Sequence, residues 1–223
     1  MALILNIDTS TASAGVCLCR EGNLLAIAEN KDQSTHSSWL HPAIARLLEE
    51  TGHRMADLQA VAVAAGPGSY TGLRVGMAAA KGLCYALDIP MIAENTLKIM
   101  AFAASKQLPE ADLLCPMLDA RRMEVFTAIY TKDLTPVLPP TAMIIDENSF
   151  SEYLLNRQLS FFGEGSNKCK QVIKAANAAF IDLACNAGHL GILSFLRYLQ
   201  CEFTAVAYSE PVYTKEFYTH TKK

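Results

Sequence analysis

Residues 66–72, Gly66-Pro67-Gly68-Ser69-Tyr70-Thr71-Gly72, stand between an apolar run, Val61 to Ala65, and an alanine-rich stretch that begins at Leu73. Apolar run, glycine loop and helix former, in that order, read as strand, turn and helix. Glycines let a backbone approach a ligand closely, and the first N–H groups of a helix lack partners inside it and favour an anion. The chemistry on offer is therefore phosphate binding. The Lys-Ser/Thr pair of a P-loop is absent, and the spacing does not match the dinucleotide fingerprint. The competing reading is a tight strand-to-helix turn with no ligand.

Two acidic residues end apolar runs in the same way. Asp8 follows Leu3 to Ile7 and precedes Thr9-Ser10; Asp119 follows Leu113 to Leu118 and precedes Arg121-Arg122. Carboxylates at strand ends suit a hard cation or a positioned water. They equally cap the turns after the strands, and capping is the preferred reading. Adjacent arginines point to different faces, so one could bind phosphate while the other is a surface charge. His36 and His41 are five apart, which turns their rings away from each other on a helix; they read as solvated or capping residues rather than as metal ligands. His53, His189 and His220 stand alone, so no metal site is expected. The seven cysteines are scattered through mostly apolar runs with no C-x-x-C pair, which fits buried thiols in a reducing compartment. None of Cys17, Cys84 and Cys115 lies near a histidine in sequence, which makes each a poor nucleophile. No catalytic residue is assigned.

The elements that must hold these residues repeat. Leu3 to Ile7, Ala14 to Cys19 and Leu24 to Ala28 read as a strand meander, followed by a helix over 34–50 that either kinks at Pro42 or begins near His41. A helix from Leu73 to Leu87, a strand from Met91 to Ala93 and a helix from Asn95 to Ala104 complete a first lobe. A second triplet follows: Leu113 to Leu118, Glu124 to Thr131 and a weaker segment around Val137. A helix over 148–156, a strand Leu159 to Phe162, the glycine turn Gly163-Glu164-Gly165 with a helix through Ala179, and a last helix from Ala187 to Gln200 complete the second. The expected division is 1–106, 107–208 and a tail at 209–223. Two α/β lobes of this kind would face a common nucleotide-sized cleft, lined by Asp8, Thr9, Ser10, Gly66, Gly68, Ser69, Asp119, Arg121, Gly163 and Gly165.

With 51% apolar and 18% charged residues over 223 positions, a sizeable core is certain. A net charge of −3 argues against a free-standing nucleic-acid binder. The N-terminus lacks the basic region of a signal peptide, and no apolar run approaches the ~20 residues that span a bilayer. A soluble, cytoplasmic protein is expected. On the helix after the glycine loop, Gly72, Gly76 and Ala80 form one row of small residues and Ala78, Gly82 and Ala86 another. Such rows admit a second helix at close range. One row is expected on this protein's own sheet, leaving the other for a partner. With the Trp39 to Leu48 helix, the expected partner-facing set is Trp39, Leu40, Ala43, Ile44, Leu47, Leu73, Gly76, Met77, Ala80 and Leu83. A bulky residue at Gly76 is then expected to abolish association without unfolding the chain.

Ile7-Asp8-Thr9-Ser10, His36, the run from Gly66 to Gly76, Asp119 to Val125, Gly163-Glu164-Gly165 and Glu210-Pro211-Val212-Tyr213 together resemble the bacterial TsaB (YeaZ) family over nearly the whole chain. The resemblance implies the two-lobed α/β actin-like ATPase (ASKHA, ribonuclease H-like) fold. It also implies a supporting role beside TsaD, which transfers a threonylcarbamoyl group to adenosine 37 of tRNA. TsaD-like relatives carry a metal-binding histidine pair after the proline-bearing turn, whereas Pro90 to Met100 here contains no histidine. The chain therefore resembles the noncatalytic subunit. TsaD and the ATPase TsaE are the implied partners, with a homodimer when TsaD is absent, tRNA reached only through the complex, and no tightly bound cofactor beyond weak ATP or ADP. The competing readings are an independent ATPase or a glycoprotease-like peptidase using the cleft, and a homodimeric nucleotide-binding module.

Overall fold

The computed structural model describes residues 1–215. The first five strands, β1 (Leu3–Asp8), β2 (Ala14–Arg20), β3 (Asn23–Asn30), β4 (Ala60–Gly66) and β5 (Met91–Asn95), form one sheet in the order β3-β2-β1-β4-β5. β6 (Leu113–Asp119), β7 (Glu124–Tyr130), β8 (Pro136–Ile144), β9 (Leu159–Phe162) and β10 (Ala178–Phe180) form a second, in the order β10-β9-β6-β7-β8. Each sheet is an antiparallel triplet with two further strands added in parallel beside its first strand. The topology is duplicated.

Helices make the layers. α1 (His36–Glu50) and α2 (Tyr70–Leu87) cover one face of the first sheet, packing on Leu5, Ile7, Val61 and Val63. The alternate residues of the same strands, Ile4, Ala60, Ala62 and Ala64, meet α3 (Thr96–Gln107) and α6 (Ala187–Leu199). Covered on both faces, β1 and β4 are buried along their whole length, which is why they read as continuous apolar runs. The other side of α3, with Leu97, Met100 and Ala104, packs on Leu114, Leu118, Ala128 and Phe162 of the second sheet. The far face of that sheet carries two single-turn helices, α4 (Ser151–Leu154) and α5 (Ser166–Cys169).

Several expectations are corrected. α1 starts at His36 and runs through Pro42, so no helix begins near His41. The helix expected through Ala179 stops after one turn, and Ala178–Phe180 pairs in parallel with β9. Phe180 stacks there on Phe161 at 5.0 Å, so tertiary pairing overrides the helix propensity of the alanines around it. The 148–156 helix is reduced to Ser151–Leu154. α6, numbered within the second lobe's 107–208 span, packs on β1, β2 and the other strands of the first sheet. The chain thus returns to its first lobe. Val212 N donates to Ala65 O at 2.7 Å, and Lys81 Nζ donates to the carbonyls of Ala207 and Ser209. The tail through Tyr213 therefore lies against the first lobe, Lys215 pairs with Glu124 of β7 on the second, and Tyr218 falls outside the described residues.

Candidate functional site: the interlobe cleft

Local rules place the residues at the cleft. Ser69 caps α2, its Oγ accepting from Gly72 N at 3.3 Å, and Asn95 caps α3 by accepting from Leu97 N and Lys98 N. The sheets' first strands end in matching turns: Asp8 Oδ1 accepts from Ser10 N at 3.0 Å, and Asp119 Oδ1 from Arg121 N at 2.8 Å. Both aspartates are turn caps of the kind in which the side chain bonds its own backbone two residues on.

The glycines serve the same junctions. A Cβ on Gly68 would lie 2.1 Å from Ser10 O, and one on Gly72 2.0 Å from Thr9 O. Ser69 N donates to Ser10 O at 2.7 Å and Thr9 Oγ1 donates to Gly72 O at 2.6 Å. In the second lobe, Gly163 (φ 92°) and Gly165 press on Met117 and Leu118, and Gly165 N donates to Met117 O. The phosphate-cradle reading of residues 66–72 is therefore corrected in part: these glycines admit the loop after β1, and the Ser69 and Gly72 amides are already bonded. Gly66 (φ 114°) lies under the tail, where a Cβ would meet Val212 O at 2.7 Å.

Two cavities lie between the lobes. One, of about 250 Å³, is lined by Asp8, Glu29, Thr96, Glu164, Cys185 and Asn186 among others, and among the described residues no Lys, Arg or His stands in its wall. The other, of about 980 Å³, is lined from the first lobe by Ser10, His36, Ser37, Ser69 and Thr71, and from the second by Asp119, Arg121 and Glu164. The cleft thus gathers Asp8, Ser10, Gly68, Ser69, Asp119, Arg121 and Gly163. Thr9, Gly66 and Gly165 instead support its walls through the contacts described above. Burial raises the Asp8 carboxyl above its usual range, against the hydrogen bonds from Ser10. The hydrogen bond from Lys168 holds Asp119 below its usual range.

His36 corrects the sequence reading. It is 3% exposed, and neither ring nitrogen has a hydrogen-bond partner among the described residues, whereas the sequence reads it as a solvated or capping residue. The signal was present, because His36 shares a helical stripe with the buried Leu40, Ile44 and Leu47. Thr96 Oγ1, also buried and unpartnered, was missed; its polar type at the first position of a helix carried no such signal. Burial raises the thiols of Cys84 to about 11 and Cys115 to about 12, opposite to what a nucleophile needs. Among the described residues no group of three or more His, Cys, Asp or Glu side chains is placed to hold a metal ion, and no helix is long and apolar enough to cross a membrane.

The partner-facing set is largely corrected too. Leu40, Ala43, Ile44, Leu47, Leu73, Met77 and Ala80 are buried in this chain's own core, and Trp39 and Leu83 are half-buried against it. Gly76 faces the sheet, where a Cβ would lie 2.3 Å from Thr9 Oγ1. A bulky residue at Gly76 would therefore disrupt the fold itself. The outward row is Ala78, Gly82 and Ala86, next to Tyr85 at 86% exposure, and a Cβ on Gly82 meets nothing within 4 Å.

Residues 26–209 match the profile of the family described as "TsaD: tRNA N6-adenosine threonylcarbamoyltransferase". The chain is 34% identical over 174 residues to the tRNA threonylcarbamoyladenosine biosynthesis protein TsaB of Bacillus subtilis (strain 168), covering 77% of this chain and 75% of that protein. It is 35% identical over 130 residues to the TsaB protein of Escherichia coli (strain K12), covering 58% of this chain and 55% of that protein. Among solved structures, YeaZ from Pseudomonas aeruginosa superposes with a TM-score of 0.81 at 24% identity, covering 96% of this chain and 100% of the other. That likeness and the duplicated sheets are those of the α/β actin-like ATPase fold. By sequence over most of its length, and by fold, the chain belongs to the TsaB (YeaZ) family, related to the TsaD family whose profile it matches.

Proposed function

We propose that this chain takes part in threonylcarbamoyladenosine biosynthesis on tRNA as a noncatalytic subunit that docks and supports TsaD. Family membership supports the pathway. The docking reading is carried by one observation: the exposed small-residue row Ala78, Gly82 and Ala86 of α2, beside α1. A row without bulky side chains lets a partner helix approach at the short end of helix-packing distances. The same face would serve a homodimer when TsaD is absent. TsaE and tRNA are reached through the complex, in keeping with the net charge of −3. Buried, proton-holding thiols and the absence of histidine from Pro90 to Met100 support the noncatalytic reading. Weak nucleotide affinity follows from the glycine loop, whose Ser69 amide already donates to Ser10.

The test uses the outward glycine of α2. Gly82→Leu adds bulk in open space and replaces a poor helix former, a change that favours the helix by roughly 0.8 kcal/mol. The variant is expected to keep or raise its melting temperature, to fail to co-elute with TsaD on gel filtration, and to lose tRNA modification in a reconstituted assay. Co-elution of Gly82→Leu with TsaD as for the wild type would remove the docking reading.

A further inference from the structure

Each of the two sheets ends in two edge strands, β3 and β5 in the first, β10 and β8 in the second. An edge strand exposes a row of unpaired N–H and C=O groups on which another strand can form. Among the described residues three of these edges are closed. Along β5, Thr204 makes an antiparallel bridge to Met91, its N–H donating to Met91 O at 2.8 Å, and Ala93 N donates to Thr204 Oγ1 at 3.0 Å. β8 carries Pro136, Pro139 and Pro140, which lack the N–H that a ladder needs. β10 has three residues, too short to template a partner.

β3 has none of these devices. Its eight residues include no proline and no lysine, and among the described residues its only backbone ladder is the one to β2. One irregularity falls at Leu25, between the pairs Leu18–Ala26 and Cys19–Leu24, and it leaves residues 26–30 in regular register. Leu24 and Leu25 stand out there at 49% and 41% exposure. Beside them, Gly188 and Phe195 of α6 lie against Leu24 and Gly22, and Ile192 on the same helical face is 38% exposed. An apolar border thus flanks an open edge.

We propose that β3 binds a second copy of this chain, the two β3 strands pairing antiparallel about a two-fold axis so that the two first-lobe sheets become continuous. Two-fold pairing makes one strand its own complement, because the outward N–H groups of each copy meet carbonyls of the other. Charge selects the orientation. Glu21 precedes β3 and Lys31 follows it, both exposed and neither in an ion pair among the described residues. Antiparallel copies bring the Glu21 end of each towards the Lys31 end of the other, whereas parallel copies would align like charges. Glu29, the one charge within the strand, faces its own copy only if the axis passes through it. The pairing uses none of Ala78, Gly82 and Ala86, so it does not rest on the docking reading.

The test measures sedimentation equilibrium of the full chain between about 1 µM and 1 mM, together with hydrogen exchange of the β3 amides by NMR. Gly82→Leu is the background, since a dimer through the outward face of α2 would be lost in it. In that background the chain is expected to dimerise, and amides within 26–30 that point away from β2 are expected to exchange about tenfold more slowly in the dimer. Leu25→Lys puts a charge on the open edge without entering the core and is expected to weaken the dimer about tenfold or more; Leu24→Lys repeats the test should Leu25→Lys unfold. Lys31→Glu is expected to weaken it roughly tenfold, because two contacts per dimer turn from attraction to repulsion, and Glu21→Lys with Lys31→Glu to restore it. A monomer at every concentration in the Gly82→Leu background overturns the proposal. So does a dimer that is indifferent to Leu25→Lys and Leu24→Lys, or whose 26–30 amides exchange at the monomer rate. Protection of those amides that arises only with a different protein added would give the edge to that protein and overturn pairing with a second copy.

Discussion

Asp8 and Asp119 end equivalent strands and accept equivalent backbone hydrogen bonds, from Ser10 N and Arg121 N. Their surroundings differ. Asp8 is 8% exposed, with no cationic side chain among the described residues in the wall of the cavity it lines, and burial raises its pKa. Asp119 has a half-exposed side chain paired with Lys168, which lowers its pKa. The glycine turns differ likewise: the first leads into the 18 residues of α2, the second into the 4 of α5. Duplicated backbone geometry has thus been kept while the functions of the two halves could diverge. The first lobe carries long helices with an outward face, and the second contributes the far wall of the cleft.

The largest effect should come from the glycine turns. Gly72→Ala drives a Cβ to 2.0 Å from the Thr9 carbonyl, where the obstacle is backbone and cannot rotate away; a loss of about 3 kcal/mol or more is expected. Gly165→Ala meets the Leu118 carbonyl carbon at 2.8 Å, and a smaller loss of roughly 1–2 kcal/mol is expected. Denaturant midpoints measure both, and equal losses would break the contrast in tightness between the two turns.

The two aspartates should then respond to pH with opposite signs. Asp8 is raised above 3.8 in the folded protein, so its contribution favours folding below 3.8 and is lost as pH rises through its raised folded value. Asp8→Asn is therefore expected to raise the melting temperature near neutral pH, with the gain disappearing in acid. Asp119 is lowered from 3.8, so its contribution is present above 3.8 and fades as pH falls through its lowered folded value. Asp119→Asn should cost at most about 1 kcal/mol at neutral pH, because the ion pair is half-exposed. Melting curves across pH for the two variants check this, and same-signed changes would contradict the difference in environment.

The smallest effect concerns the tail that crosses back to the first lobe. Tyr213 packs on Tyr70 at 5.4 Å and accepts from Arg74 Nε at 3.0 Å. Tyr213→Ala should cost about 1 kcal/mol and speed proteolysis within 204–215, with the second sheet unaffected. Proteolysis at the wild-type rate would show that this packing does not hold the tail.

Much of the fold was legible because it is local. The apolar runs of β1 and β4 and the repeated strand triplets follow from residue type and spacing. The site was legible as a list of positions and less so as chemistry. Asp8 and Asp119 look alike in sequence, and only tertiary packing separates them, through the burial of Asp8 and through Lys168, 49 residues beyond Asp119. The helical stripe announces the burial of His36, whereas Thr96 entered the cleft unannounced, because no neighbour in sequence shows which buried polar atoms lack a partner.

By itself the sequence determined that α2 carries two rows of small residues and that one chain holds two copies of a strand-and-glycine-turn unit. The tertiary structure decided that Gly72, Gly76 and Ala80 face the sheet while Ala78, Gly82 and Ala86 face outward. It also decided that α6 returns to the first sheet and that Ala178–Phe180 is a strand. Periodicity records which residues share a face of an element. Which face meets the core depends on contacts between segments far apart in the chain, and those arise only when the layers pack.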